Sequence, residues 1–289
     1  MMPRPVHLPG PKGGEEESMI EIPMQYQAVF FGDMSDITPS PAAIRAMLDL
    51  FQDIGLLPSL IMEWPSNQAR LQLKTIDNEL DIRLHSDRIA IDLNSTKPKG
   101  ENLGTLEGFA KRAADLLGKI LSKFPKKAHR LSLVSTGLGR QISDENMKSI
   151  YVKLFNPLDF YVEHDPVEWS VRSVARVPGT FAGLAEQLNV ITRISRITVQ
   201  TAQLMAQAPD VGQLMAEAPE TGQLMAKPED ANPTVATSSN RLKFVFDINT
   251  FQGNVEQRFD KDAVAEFCQK ALCLRTTLLS QVEGRISGL

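Results

Sequence analysis

The chain has 289 residues, 42% of them hydrophobic and 23% charged, with a formal net charge of -4. This is the make-up of an ordinary globular protein of about two domains, and it excludes global disorder and any overall attraction to nucleic acid or anionic lipid. No window approaches the ~20 apolar residues of a membrane-crossing helix and the start lacks the apolar run of a secretory signal, so the cytoplasm is the expected compartment.

Residues 1–24 combine Pro3, Pro5, Pro9 and Pro11 with Gly10, Gly13, Gly14 and then Glu15, Glu16 and Glu17. Such a stretch cannot bury enough apolar surface to order itself, and a disordered tail is expected there. Residues 25–160 read as a first α+β unit. A strand over 25–32 is followed by a helix with Ser40 and Pro41 as its cap and first-turn pair, Ile44, Met47, Leu48 and Phe51 as its apolar stripe, and Gly55 as its stop. Four alternating runs come next, at 60–64, 71–74, 80–84 and 89–93, separated by turn residues at 65–67, 76–78 and 85–88. They predict an antiparallel meander with one wet face, carrying Gln72, Lys74, Asp81, Arg83 and Asp92. A helix over 105–124, ended by Pro125, presents Phe109, Ala113, Leu116, Leu117 and Ile120 to cover the other face. A strand over 130–136 and a helix over 145–155 complete the unit.

Residues 161–289 read as a second, shorter unit: a strand over 167–177, a turn at Pro178-Gly179, a short helix over 181–188, and a long strand over 190–201. The run 241–251 then forms a core strand, in which Phe244, Phe246 and Ile248 face one way and Asp247 and Asn249 the other, toward solvent. Its covering helix aligns Val264, Phe267, Cys268, Ala271, Leu274 and Leu278, and Asp260 or Asp262 can cap its first turn. The fold class is therefore α+β, two related units of antiparallel sheet covered by amphipathic helices, with one shared sheet a natural arrangement.

Residues 203–240 interrupt the second unit with ten-residue repeats, Gln203-Leu204-Met205-Ala206, Gln213-Leu214-Met215-Ala216 and Gln223-Leu224-Met225-Ala226. Ten residues of helix turn about 1000°, leaving successive Leu-Met pairs about 80° out of phase, and each repeat carries a proline. The repeats predict a flexible low-complexity insertion; the alternative is three weak copies of a docking peptide acting by multivalency.

Residues that could carry chemistry are few. His7, His85, His129 and His164 stand at no metal-ligand spacing, so neither a metal nor any other cofactor is expected, and no catalytic set is visible. Glu163-His164-Asp165 reads as a solvated connector. Cys268 falls on an apolar stripe and Cys273 on another side of the same helix, which suits two reduced thiols. The weak binding candidates are Lys123, Lys126, Lys127 and Arg130, gathered at a helix end, with Gly137, Gly139 and Arg140 in a bend that could cradle an anion but reads better as a strand bulge.

Three short motifs, Ile61-Met62-Glu63-Trp64, Arg130-Leu131-Ser132-Leu133 and Phe246-Asp247-Ile248-Asn249-Thr250-Phe251 with the helix after it, resemble those of a sporadically distributed family of uncharacterised bacterial proteins. Ser135-Thr136-Gly137 departs from that family's pattern. The resemblance implies no activity; patchy distribution points by association to phage-defence or stress modules. The function expected is that of a non-catalytic protein-interaction or scaffold component with a partner encoded nearby, homo-oligomerisation remaining open; the alternative is nucleic-acid or nucleotide binding through the basic patch.

Overall fold

A computed structural model describes residues 19–202 and 236–286. In chain order these form β1 (Ile20–Phe31), α1 (Pro41–Leu50), β2 (Leu57–Glu63), β3 (Gln68–Lys74), β4 (Leu80–Leu84), β5 (Arg88–Asn94), a 3-10 turn (Glu101–Leu103) and α2 (Leu106–Lys123). They continue with β6 (Arg130–Ile142), α3 (Asp144–Leu154), α4 (Asp159–Glu163), β7 (Ser170–Phe181), β8 (Leu184–Ala202), β9 (Ala236–Thr250) and α5 (Lys261–Ile286). All nine described strands join one antiparallel sheet in the order β2-β3-β4-β5-β1-β6-β9-β8-β7. The architecture is α+β, and strands from both halves of the chain share the sheet through the β6–β9 pairing.

Helices lie on one face of that sheet. The period-2 alternation of β1 sends Tyr26, Ala28 and Phe30 toward α2, which buries Phe109, Ala113, Leu116, Leu117 and Ile120. α5 packs against α2 and reaches over β6, β7 and β9. Local chemistry sets the helix starts. Ser40 accepts from the N–H of Ala43, Thr105 from Gly108, Ser143 from Asn146, and Asp260 from Asp262 and Ala263. A second apolar cluster, with Met147, Tyr151, Trp169, Phe244 and Phe246, forms where α3 and the end of α5 meet the sheet.

Four sequence expectations need correction. β1 begins at Ile20, inside the stretch read as a tail, because Ile20 and Ile22 pair with Gly139 and Leu138, partners more than a hundred residues away; residues 1–18 lie outside the described ones. The helix over 181–188 does not form. Ala182 and Gly183 take φ of 49° and 73° and make a two-residue hairpin turn joining β7 to β8, with Phe181 opposite Leu184. Pro178-Gly179 is no turn but part of β7, where a Cβ on Gly179 would stand 3.0 Å from the Leu188 side chain. Finally, β9 starts at Ala236, within the 203–240 insertion; of that insertion, residues 203–235 lie outside the described ones.

Candidate functional site

The basic cluster and the glycine bend occupy opposite ends of β6. Lys123 ends α2, Arg130 opens β6, and Gly137, Gly139 and Arg140 lie seven to ten residues further along it, at ~3.3 Å per residue. Lys126 and Lys127 line a hollow of about 570 Å³ with Lys261, but Asp33 and Asp260 line it too, and Lys126 pairs with Asp36 at 2.7 Å. The positive charge there is thus offset by carboxylates. Arg130 stacks its guanidinium 4.6 Å from the centre of the Phe31 ring, and burial lowers its pKa against the pull of Asp247. Gly137 and Gly139 are strand residues beside register irregularities: a Cβ on Gly137 would lie 2.5 Å from the Ile20 side chain, and one on Gly139 3.1 Å from the Phe244 ring. Their glycine character is explained by close packing of β1 and β9, and Arg140 borders a separate hollow of about 730 Å³ between α3 and α5.

On the face opposite the helices, polar side chains form two networks, and they are drier than the alternation implies. Asp92 is 1% exposed; it accepts from Gln25 at 3.1 Å and Gln27 at 2.6 Å and pairs with Arg83. Asp81 accepts from Gln72 at 2.9 Å, and its pKa is raised, burial outweighing the Gln72 hydrogen bond and the charges of Arg83 and Lys74. Across β6, β9 and β8, Ser132 donates to Asp247 at 3.0 Å, Asn249 to Asp247 at 2.9 Å, and Asn189 to Asn249 at 3.1 Å. Asn249 is also 1% exposed. Asn249, Gln72 and Asp92 therefore share the expected face without facing water, because neighbouring strands close over them with side chains of matching polarity.

Glu63 is held in a fixed pairing with Arg70 and Ser86. Burial raises the Glu63 carboxyl, but hydrogen bonds from Ser86 and Arg70 together outweigh it and the net pKa falls. Burial pushes the Cys268 thiol up to about 12, while Cys273 is exposed. Among the described residues no group of three or more His, Cys, Asp or Glu could hold a metal ion, and no helix is long and apolar enough to cross a membrane. His164 sits in an exposed segment, its ring 4.8 Å from that of Phe160.

Two surfaces that sequence reasoning passed over are apolar and open. Leu158, Phe160, Tyr161, Val162 and Val167 are all exposed on and around α4, Leu158 by 74% and Phe160 by 62%. Asp159, Glu163, Asp165 and Glu168 are interspersed with them along the chain, Asp165 paired with Lys148 at 2.8 Å. The signal was the density of large apolar residues in a segment too short for a second face to bury. At one edge of the sheet, β2 and the residue after it expose Leu57 by 54%, Leu60 by 59%, Met62 by 66% and Trp64 by 84%. There the signal was Pro58, since a proline inside a strand is an edge feature. Comparison of the chain with models of protein families, with curated proteins and with solved structures finds no match.

Proposed function

We propose that the protein is a non-catalytic interaction component that recognises a protein partner through the 158–167 surface. The observation that carries this reading is the set of five exposed large apolar residues, two of them aromatic, within ten positions and interspersed with acidic residues. Contiguous apolar patches on a globular surface mark binding sites, and tyrosine is among the residues that dominate interface energies. The acidic residues among them select a partner whose apolar groove is bordered by Lys or Arg. Asp92, Asp247 and Glu63 are each committed to internal hydrogen bonds, which supports the non-catalytic reading. The two halves, 25–160 and 161–289, are read as related units, each setting antiparallel strands beneath one amphipathic helix, α2 or α5. A protein encoded beside this one, in a bacterial defence or stress module, is the first partner to try.

The test is an affinity capture from the native host at moderate salt, comparing the full-length chain with a Leu158→Glu, Phe160→Glu variant. A stoichiometric protein held by the first and lost from the second, and rebinding when both are purified, is expected. No protein above control, or the same protein held equally by the variant, overturns the reading.

A further inference from the structure

We propose that β2 is a contact between two copies of this chain, laid antiparallel across a two-fold axis at Leu60. This goes beyond the partner reading, because it uses the other end of the molecule. β2 is the terminal strand of the sheet, hydrogen-bonded to β3 along one side over seven residues, with its other side unpaired among the described strands. Pro58 takes the outward position an edge proline takes. By the alternation of an antiparallel ladder, Leu60 and Met62 then turn their N–H and C=O groups outward with it.

Soluble proteins protect such an edge with charges, prolines or twists. The opposite edge, β7, follows that rule: it exposes Arg172 and Arg176 and contains Pro178. β2 does not. Its one charged residue, Glu63, is turned back into the molecule, where it accepts from Arg70 at 3.1 Å and from the Ser86 N–H at 2.9 Å. What remains exposed is Leu60 and Met62 on the helix-bearing face, Leu57 on the other face, and Trp64 just past the strand, together about 500 Å² of apolar surface at the ~100 Å² of an aliphatic side chain and the 150–250 Å² of an aromatic one. With the strand edge itself, this approaches the ~800 Å² per partner of a stable interface.

The chemistry also selects the occupant. A two-fold axis at Leu60 sets Leu60 against its own counterpart and Met62 against Pro58 of the other copy, so apolar meets apolar at each of these outward positions and no like charges meet; the Met62 N–H reaches the Pro58 carbonyl, while Pro58, lacking an N–H, returns no bond. Pairing β2 with β7 of another copy is heterologous, propagates without closing, and brings two arginines against the apolar strand. The isologous arrangement closes at two copies and leaves the arginine-guarded edges outermost.

Sedimentation of the full-length protein across micromolar concentrations tests this, with Leu60→Lys and Leu60→Glu variants checked for unchanged circular dichroism; Leu60 is exposed, so either charge stays hydrated. The unsubstituted chain is expected to reach twice its 32.0 kDa mass. Each variant alone is expected to lose the dimer, because like charges face one another across the axis. An equimolar mixture of the two variants is expected to regain it, because the facing side chains then carry opposite charges. A monomer at every concentration, variants that dimerise as well as the unsubstituted chain, or a mixture that stays monomeric overturns the proposal. None of these outcomes bears on capture through the 158–167 surface, so the two readings fail separately.

Discussion

Replacing Asp92 by alanine tests whether the polar network on the helix-free face holds the sheet together or merely decorates it. The carboxylate is 1% exposed and collects Gln25, Gln27 and Arg83 from three positions on β1 and β4. Its removal strands the Gln27 amide donor, costing about 1–3 kcal/mol where water cannot reach, and half of an ion pair, which costs about 3–5 kcal/mol when fully buried, while Gln25 keeps Asn94 at 3.2 Å and Arg83 keeps Asp81 at 3.7 Å. The Arg83 side chain is 32% exposed and can rehydrate, and the glutamines are half-buried, so the sum falls to roughly 2–4 kcal/mol. Urea unfolding followed by circular dichroism measures it as a lower midpoint at constant slope. The pair Arg83→Met, Asp92→Leu removes both charges and is expected to recover more than half of the loss. A loss under about 0.5 kcal/mol for Asp92→Ala, or a double variant no better than the single one, refutes the argument that the cost lies in orphaned partners.

Three further outcomes are expected. A thiol reagent at pH 8 should label one cysteine per native chain, Cys273, and two after denaturation, because burial holds the Cys268 thiol near 12; rapid labelling of both in the native state contradicts the packing. Gly137→Ala should cost about 1–3 kcal/mol by forcing a methyl against Ile20, whereas Gly118→Ala, in the middle of α2 with open space around it, should add about 0.5–1 kcal/mol; equal effects in a thermal melt would sink the close-packing account of the β6 glycines. Burial, and then neighbouring arginines, lower the pKa of His85 and His129 below the ordinary 6.5. The unfolded chain therefore takes up protons first as pH falls, so their contribution is complete above about pH 6.5 and is lost as pH drops through the folded values. The melting temperature should decline from pH 7 toward pH 5, and the decline should flatten in a His85→Gln, His129→Gln variant; an unchanged slope would assign it to other groups.

Sequence patterns were informative where structure is local. Ser40, Thr105 and Asp260 mark helix starts because a cap acts within three residues, and the meander from β2 to β5 follows from period-2 runs separated by Asn67 and Asn78, both at positive φ. They misled where the deciding partner is distant. Nothing near Ile20 announces a strand amid prolines and glutamates; its partner is Gly139. The run 181–188 has helical apolar spacing, yet Ala182-Gly183 turns it into a hairpin that Glu266 of α5 secures by accepting from the Ala182 N–H. The candidate binding residues are not brought together for the same reason. Lys126 and Gly139 are close in sequence, but β6 is extended, and thirteen residues of strand hold its two ends apart.

The two surfaces proposed as contacts were passed over for a related reason: exposure is set by position in the fold, and the sequence of a strand states its place in the order only through signs such as Pro58. Leu60 and Met62 would be ordinary core residues if β2 lay where β1 does, flanked on both sides and covered by α2. At the end of the sheet, with α1 covering only part of it, the same residues become a liability unless something covers them. The chain guards its other edge with Arg172 and Arg176 as well as Pro178, whereas this one has Pro58 alone and no outward charge, so general tolerance of exposed edges does not explain the difference. An edge that is apolar, uncharged outward and self-complementary is a liability that pairing removes, and the partner always present at matching concentration is another copy, which is the ground for the proposed dimer.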